Sequence, residues 1–247
     1  MQIFESLLEK DCDDGVRLEG EMKLLGVGAL GVVLLVSGGQ AFGQSGQEIA
    51  LPADKLELHN VKAEALNYQG RAAVRVTDAA AADVDDAGRL AIIPGTSLQD
   101  GTIEVNLSGD TTADASAQAR GFVGIAFRVS GDRTHFECFY LRPKNGRAED
   151  QLQRNHSTQY ISVPGFPWNK LRAESPGKYE SYVDLVAGQW TKVRIQASGT
   201  SARLYVNGAA QPVLIVNDLK QPPVKGAIAL WVGPGTIAHF SGLKVSQ

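Results

Sequence analysis

Gly101-Thr-Ile-Glu-Val-Asn-Leu107 sets the fold: Ile103, Val105 and Leu107 are apolar and alternate with Thr102, Glu104 and Asn106. A period of two is that of a strand with one buried and one wet face, whereas an amphipathic helix repeats every 3.6 residues. Outward from this stretch, similar runs recur between turn residues at 56–66, 71–77, 89–93, 121–129, 133–141, 180–185, 190–196, 201–206, 212–216, 226–232 and 236–245. Short strands at this spacing predict an all-β chain folded as a two-sheet antiparallel jelly-roll β-sandwich.

Local detail agrees with that reading. Ala202-Arg-Leu-Tyr-Val206, Asn207-Gly208 and Pro212-Val-Leu-Ile-Val216 read as a hairpin, because Asn-Gly accepts the positive φ angles of a tight turn. In 121–129 the alternation predicts Val123, Ile125, Phe127 and Val129 inward, with Phe122, Gly124, Ala126 and Arg128 on the other face. Residues 142–179 read as a long polar segment between strand regions. Tyr160, Phe166, Trp168 and Tyr179 give it enough aromatic area to argue against disorder. Trp190 and Trp231 are assigned to the core.

The N-terminal region follows another plan. Met22-Lys23 opens a 13-residue apolar run, Leu24–Val36, followed by small residues up to Ala41 and Gly43. A membrane-spanning helix needs about 20 residues, so 22–43 reads as a cleaved signal peptide with maturation before Gln44, leaving no membrane anchor. Residues 1–21 hold seven acids against Lys10 and Arg17, the wrong charge for the start of an export signal, and read as an upstream extension foreign to the protein, with translation starting at Met22; the alternative is a genuine cytoplasmic extension before a signal anchor. The expected domain is therefore 44–247, in the periplasm or outside a bacterial cell. Removing 1–43 moves the formal charge from -3 to about +1 and leaves Cys138 as the only cysteine, so no internal disulfide is expected. Scattered Lys and Arg near charge balance give no general attraction to nucleic acid, anionic lipid or another polyanion, so no such partner is expected.

Trp190-Thr-Lys-Val-Arg-Ile, Ala202-Arg-Leu-Tyr-Val-Asn-Gly208, Gly226-Ala-Ile-Ala-Leu-Trp and Ala238-His-Phe-Ser-Gly-Leu-Lys-Val245 resemble the C-terminal half of laminin G-like and other domains of the concanavalin A-like lectin/glucanase superfamily. Gly124-Ile-Ala-Phe-Arg128 followed by Phe136-Glu137 is similar to the 3-keto-disaccharide hydrolase group, a glycoside hydrolase 16-like branch of that fold. The resemblance implies a sugar-binding or sugar-cleaving sandwich. Two departures stand out: the hydrolase pattern Glu-x-Asp-x-(x)-Glu is absent, and the position two residues after Glu137, commonly glutamine in the keto-disaccharide group, is Phe139. The nearest acid pair, Glu180 and Asp184, would lie about 13 Å apart along a strand, beyond the roughly 5–9.5 Å that glycosidase pairs use.

The expected function is recognition of an oligosaccharide or glycan on a concave sheet face closed by 142–179. Arg128, Glu137 and Arg142 would supply charge, as a ligand site or as a cross-strand ion pair. Tyr160, Trp168 and Tyr182 would supply aromatic platforms or pin the loop with their own rings, and Arg154 and His156 would add polar contacts. The alternatives are a glycoside-processing enzyme, with Glu137 as acid or base partnered by Glu104, Glu149 or Asp150, and a structural laminin G-like module. Asp83 and Asp85 in an acidic turn offer oxygen ligands for calcium or form a solvated turn. No other metal and no cofactor is indicated, since the four histidines lack paired spacing.

Overall fold

The computed structural model describes residues 46–79 and 88–247. The leader, its cleavage site and the acidic turn with Asp83 and Asp85 lie outside the described residues. The strands in chain order are β1 (Gln47–Ile49), β2 (Glu57–His59), β3 (Val61–Tyr68), β4 (Arg71–Asp78) and β5 (Leu90–Leu98). Next come β6 (Gly101–Thr111), β7 (Val123–Val129), β8 (Phe136–Leu141), β9 (Thr158–Val163) and β10 (Glu180–Ser181). The chain ends with β11 (Thr191–Ser198), β12 (Ser201–Val206), β13 (Leu214–Val216), β14 (Gly226–Val232) and β15 (Thr236–Ser246). Two short helices, α1 (Gln151–Asn155) and α2 (Trp168–Glu174), flank β9.

Every pairing is antiparallel, and the strands form two sheets. The back sheet runs β13-β12-β11-β6-β15-β4-β3 with β1 also on β15, and the front sheet runs β10-β9-β8-β7-β14-β5-β2. This is the predicted jelly-roll sandwich. Ile103, Val105 and Leu107 of β6 are buried against Val123, Ile125, Phe127 and Phe139 of the front sheet, while the intervening Thr102, Glu104 and Asn106 are only partly buried. The hairpin forms as read, with Leu204 opposite Leu214 and Asn207 and Gly208 both at positive φ.

The front sheet departs from simple alternation. Its outward face carries a second apolar cluster that includes Leu90, Phe136, Cys138, Tyr140, Ile161 and Trp231, so β7 and β8 are buried along their whole length. Trp231 is therefore buried, but outside the space between the sheets, and Trp190 is only half-buried, edge-on to Tyr68.

At the end of β7 the register breaks. Ala229 pairs with Ala126 but Ala227 with Val129, leaving Phe127 and Arg128 opposite Ile228. Arg128 is the extra residue of this bulge, at φ 55°. The bulge reverses the facing that the alternation predicts: Val129 joins the outward cluster instead of the main core.

Residues 142–179 are also more ordered than the sequence suggests. Thr158–Val163 is a full strand of the front sheet, paired along its length with β8 and, at its start, with β10. Asp150 caps α1 through its side chain to the Gln153 N–H.

Candidate functional site

Strand parity decides which predicted residues can meet a ligand. Phe127, Glu137 and Ser162 share one register position, and Phe127 belongs to the main core, so Glu137 points between the sheets. It is fully buried, and both of its oxygens are used internally. Oε2 accepts from the Tyr160 hydroxyl at 2.6 Å and Oε1 from the Gln221 N–H at 2.9 Å. Burial raises the Glu137 pKa, against the lowering effect of these donors. Tyr160, equally buried, also accepts from the Lys220 N–H at 2.8 Å, and burial together with the neighbouring carboxylate raises its pKa. The Tyr160–Glu137 pair thus fastens the 220–221 loop to the front sheet instead of facing a groove.

Arg128 is likewise spent on the fold. Its Nε donates to the Gln99 carbonyl at 2.8 Å, and Nη2 donates to the Gly199 carbonyl at 2.7 Å and to Asp100 Oδ1 at 3.1 Å. The buried guanidinium ties the bulge of the front sheet to the β5–β6 turn, which joins the two sheets, and to the β11–β12 turn of the back sheet.

The proposed acid partners of Glu137 lie elsewhere. Glu104 is on the outward side of the back sheet, 3.6 Å from Lys192 Nζ, Asp150 caps α1 and Glu149 is exposed. Among the described residues, none of the proposed acids joins Glu137 as a hydrolytic pair. Asp184 is exposed and bound bidentately by Arg147, so it does not work with Glu180.

The outward face of the front sheet gathers the other candidates. Gly124, Tyr140, Gln159 and Glu180 occupy one row across β7, β8, β9 and β10. Beside that row, where β7 and β9 begin and β8 ends, lies a cleft of about 450 Å³, lined by Arg120, Phe122, Arg142, His156, Trp168 and Arg172 among others. A Cβ on Gly124 would stand 2.2 Å from the Phe139 carbonyl oxygen and 2.5 Å from Tyr140 Cβ, so only glycine lets β7 and β8 approach this closely under the Tyr140 ring.

Arg142 sets the cleft's inner wall. Nη2 donates to the Tyr140 hydroxyl at 2.8 Å and Gln159 Oε1 at 3.1 Å, and Nη1 donates to the His156 carbonyl at 3.0 Å. Burial lowers its pKa and raises that of Tyr140 to about 12, yet the guanidinium stays charged at neutral pH.

Glu180 is buried behind the cleft. Arg172 grips it with both Nε and Nη2, the shortest contact being 2.6 Å; His156 Nδ1 approaches to 2.9 Å and Arg142 Nη1 to 4.0 Å. Burial lowers the His156 pKa, with Arg172 and Arg142 adding to the effect and Glu180 opposing it. Trp168 stands at the mouth, about a third exposed, with Arg172 4.8 Å and Arg142 5.9 Å from its ring centroid.

Of the predicted residues, the structure therefore brings Arg142, His156 and Trp168 together. Arg154 and Tyr182 pair beside the cleft, the guanidinium 5.6 Å from the ring, and do not line it. Arg172 and Glu180 were not read from the sequence as site residues. Arg172, four residues after Trp168 on α2, is the partner that helical spacing could have supplied.

No protein-family model matches the sequence, and no curated protein matches it. Among solved structures, a Bacillus subtilis protein of unknown function with a galectin-like fold aligns over 79% of this chain and 90% of its own, with TM-score 0.50 and 12% identity. The fold is a concanavalin A-like sandwich. More distant likenesses are the carbohydrate-binding module CBM66 of Bacillus subtilis (77% of this chain, 98% of that one, TM-score 0.47, 11% identity) and a Bacillus licheniformis β-glucanase (81% and 91%, 0.41, 14%). Concanavalin A-like sandwiches differ in what they do through the side chains at such clefts, and at these identities only the architecture is shared.

Proposed function

We propose that this chain is a carbohydrate-recognition domain that binds an oligosaccharide or glycan in the cleft at the β8–β9 end of the front sheet. The observation that supports this is the half-open Trp168 ring set among planar donors: an indole face covers the apolar C–H face of a pyranose, and the guanidiniums of Arg142 and Arg172 reach its oxygens. Arg142 is held from behind by Tyr140 and Gln159, so its geometry is fixed before the ligand arrives.

Binding is favoured over hydrolysis because, among the described residues, no carboxylate lines the cleft, and Glu180 behind it is gripped by Arg172. Glycoside cleavage needs two carboxyl groups flanking the bond. Export to the periplasm or beyond, from the 22–43 leader, belongs to the same reading and places the domain where polysaccharides occur.

The test is affinity electrophoresis in gels containing soluble polysaccharides, comparing the wild type with Trp168→Ala. Retardation by at least one polysaccharide that the variant loses, with its melting temperature unchanged, is the expected result. Equal retardation of the two proteins would place binding elsewhere.

A further inference from the structure

The cleft's charge specifies the ligand further, on the premise that it binds glycans as proposed above. We infer that its ligand is an anionic saccharide, carrying a carboxylate or a sulfate on the unit that meets Arg142 and Arg172. Three guanidiniums, those of Arg120, Arg142 and Arg172, border the cleft together with the His156 imidazole, and among the described residues no acidic side chain lines it.

Three acids around the cleft are each paired with a cation. Glu180 lies behind the wall in the grip of Arg172, Asp184 is held by Arg147, and Asp110 lies 3.7 Å from Lys144. Arg120 uses Nη1 on the Ala117 and Ala119 carbonyls, which satisfy hydrogen bonds without neutralising charge. With His156 neutral, the three lining guanidiniums and Glu180 behind them leave a surplus of about two positive charges on the cleft wall. That surplus is local, since residues 44–247 together carry a formal charge of only about +1.

Donor chemistry points the same way. Arginine donates and never accepts, so the side of the cleft formed by Arg120, Arg142 and Arg172 offers no acceptor to a sugar hydroxyl, and among the described residues side-chain acceptors come only from Ser116, Gln118, Asn145, Gln153 and the imidazole of His156. A carboxylate or sulfate is acceptor-only, and the planar fork of arginine matches either in a bidentate contact. Arg142 sharpens this, because burial disfavours its charge while its distance to Glu180 is 4.0 Å. An anion in the cleft would supply the close counter-charge that Glu180, drawn towards Arg172, does not.

The test uses polysaccharide pairs that differ in charge alone: polygalacturonate, alginate and hyaluronan against their carboxyl-reduced forms, and dextran sulfate against dextran. Affinities are measured by calorimetry on the 44–247 protein. At least one charged polymer should bind about tenfold or more tightly than its neutral counterpart, the size expected of one charge-assisted hydrogen bond. The preference should shrink as salt rises. Arg172→Gln and the rim variant Arg120→Gln should each weaken the charged member more than the neutral one, while Arg194→Gln, on the back sheet, changes nothing.

A response from the uronate pairs or from the sulfate pair identifies which anion is read. Neutral members binding as well as charged ones, with loss in Trp168→Ala, would overturn the anionic inference and leave glycan recognition standing. Absence of binding by every polymer, charged or neutral, would overturn both.

Discussion

Replacing Tyr160 with phenylalanine removes one oxygen and leaves the ring packed against Phe139 and Tyr179, at centroid distances of 5.4 and 5.6 Å. The hydroxyl does two jobs: it donates to Glu137 Oε2 at 2.6 Å and accepts from the Lys220 N–H at 2.8 Å. Each buried group left without its partner costs about 1–3 kcal/mol, so the loss at two groups should destabilise by about 2–6 kcal/mol. A typical domain is stable by only about 5–15 kcal/mol, which makes such a loss easy to measure.

The sign of the pH dependence follows from Glu137. Its folded pKa lies above the ordinary value of 4.5, so the folded state holds a proton that the unfolded state has released, and stability falls as pH rises through that window. Tyr160 lowers that pKa by donating to the carboxylate. In Tyr160→Phe it rises further, and the variant's deficit should be larger at pH 8 than at pH 4.5. Urea unfolding at both values, with equal m, reads the difference. A deficit below about 0.5 kcal/mol at pH 8, or one larger in acid, would refute the assignment of Tyr160 to the fold and reopen it as a ligand contact.

Arg128→Ala should cost about 3 kcal/mol or more in denaturant unfolding, because the Gln99 and Gly199 carbonyls lose their donor together. Gly124→Val should destabilise by roughly 1–3 kcal/mol through its clash with the Phe139 carbonyl and Tyr140, and should weaken binding by displacing Arg142 as well. Burial against Tyr68, together with Arg75, holds the His239 pKa at about 4. The unfolded chain therefore takes up this proton first, and stability falls as pH drops from about 6.5 to 4. Melting curves of His239→Gln should show a shallower decline over that range. His156 also has a lowered pKa and faces Glu180, Arg142 and Arg172; a bound anion favours its protonated form, so affinity should rise as pH falls below 6.5, and titrations of His156→Gln should lose that rise.

Alternation made the sandwich legible where one face of a strand is wet. β6, β11 and β12 read directly, because Thr102, Glu104, Lys192 and Arg194 mark the outer side. It failed where both faces are covered. Thr158-Gln-Tyr-Ile-Ser-Val163 mixes polar and apolar residues at every facing because Thr158, Gln159 and Ser162 are all buried, so the strand reads as loop. The bulge at Arg128 has no signature in composition; one extra residue reverses the facing, and an arginine expected on a wet face ends up bolting two sheets together.

The site residues divide for the same reason. Tyr160 and Trp168 look alike as aromatic candidates, and only the pairing of β9 with β8 sends Tyr160 inward, whereas Trp168 falls at the start of α2 beside Arg142. Arg172 and Glu180 are linked by tertiary contact, which periodicity cannot reveal.

The most direct measurement follows the indole N–H resonances of Trp168, Trp190 and Trp231 by NMR as a bound polysaccharide, cut to oligosaccharides, is titrated into the 44–247 protein. The Trp168 resonance should shift in a saturable manner while Trp190, on the other sheet, stays in place. Saturable binding with the Trp168 resonance unmoved would contradict the assignment of the cleft.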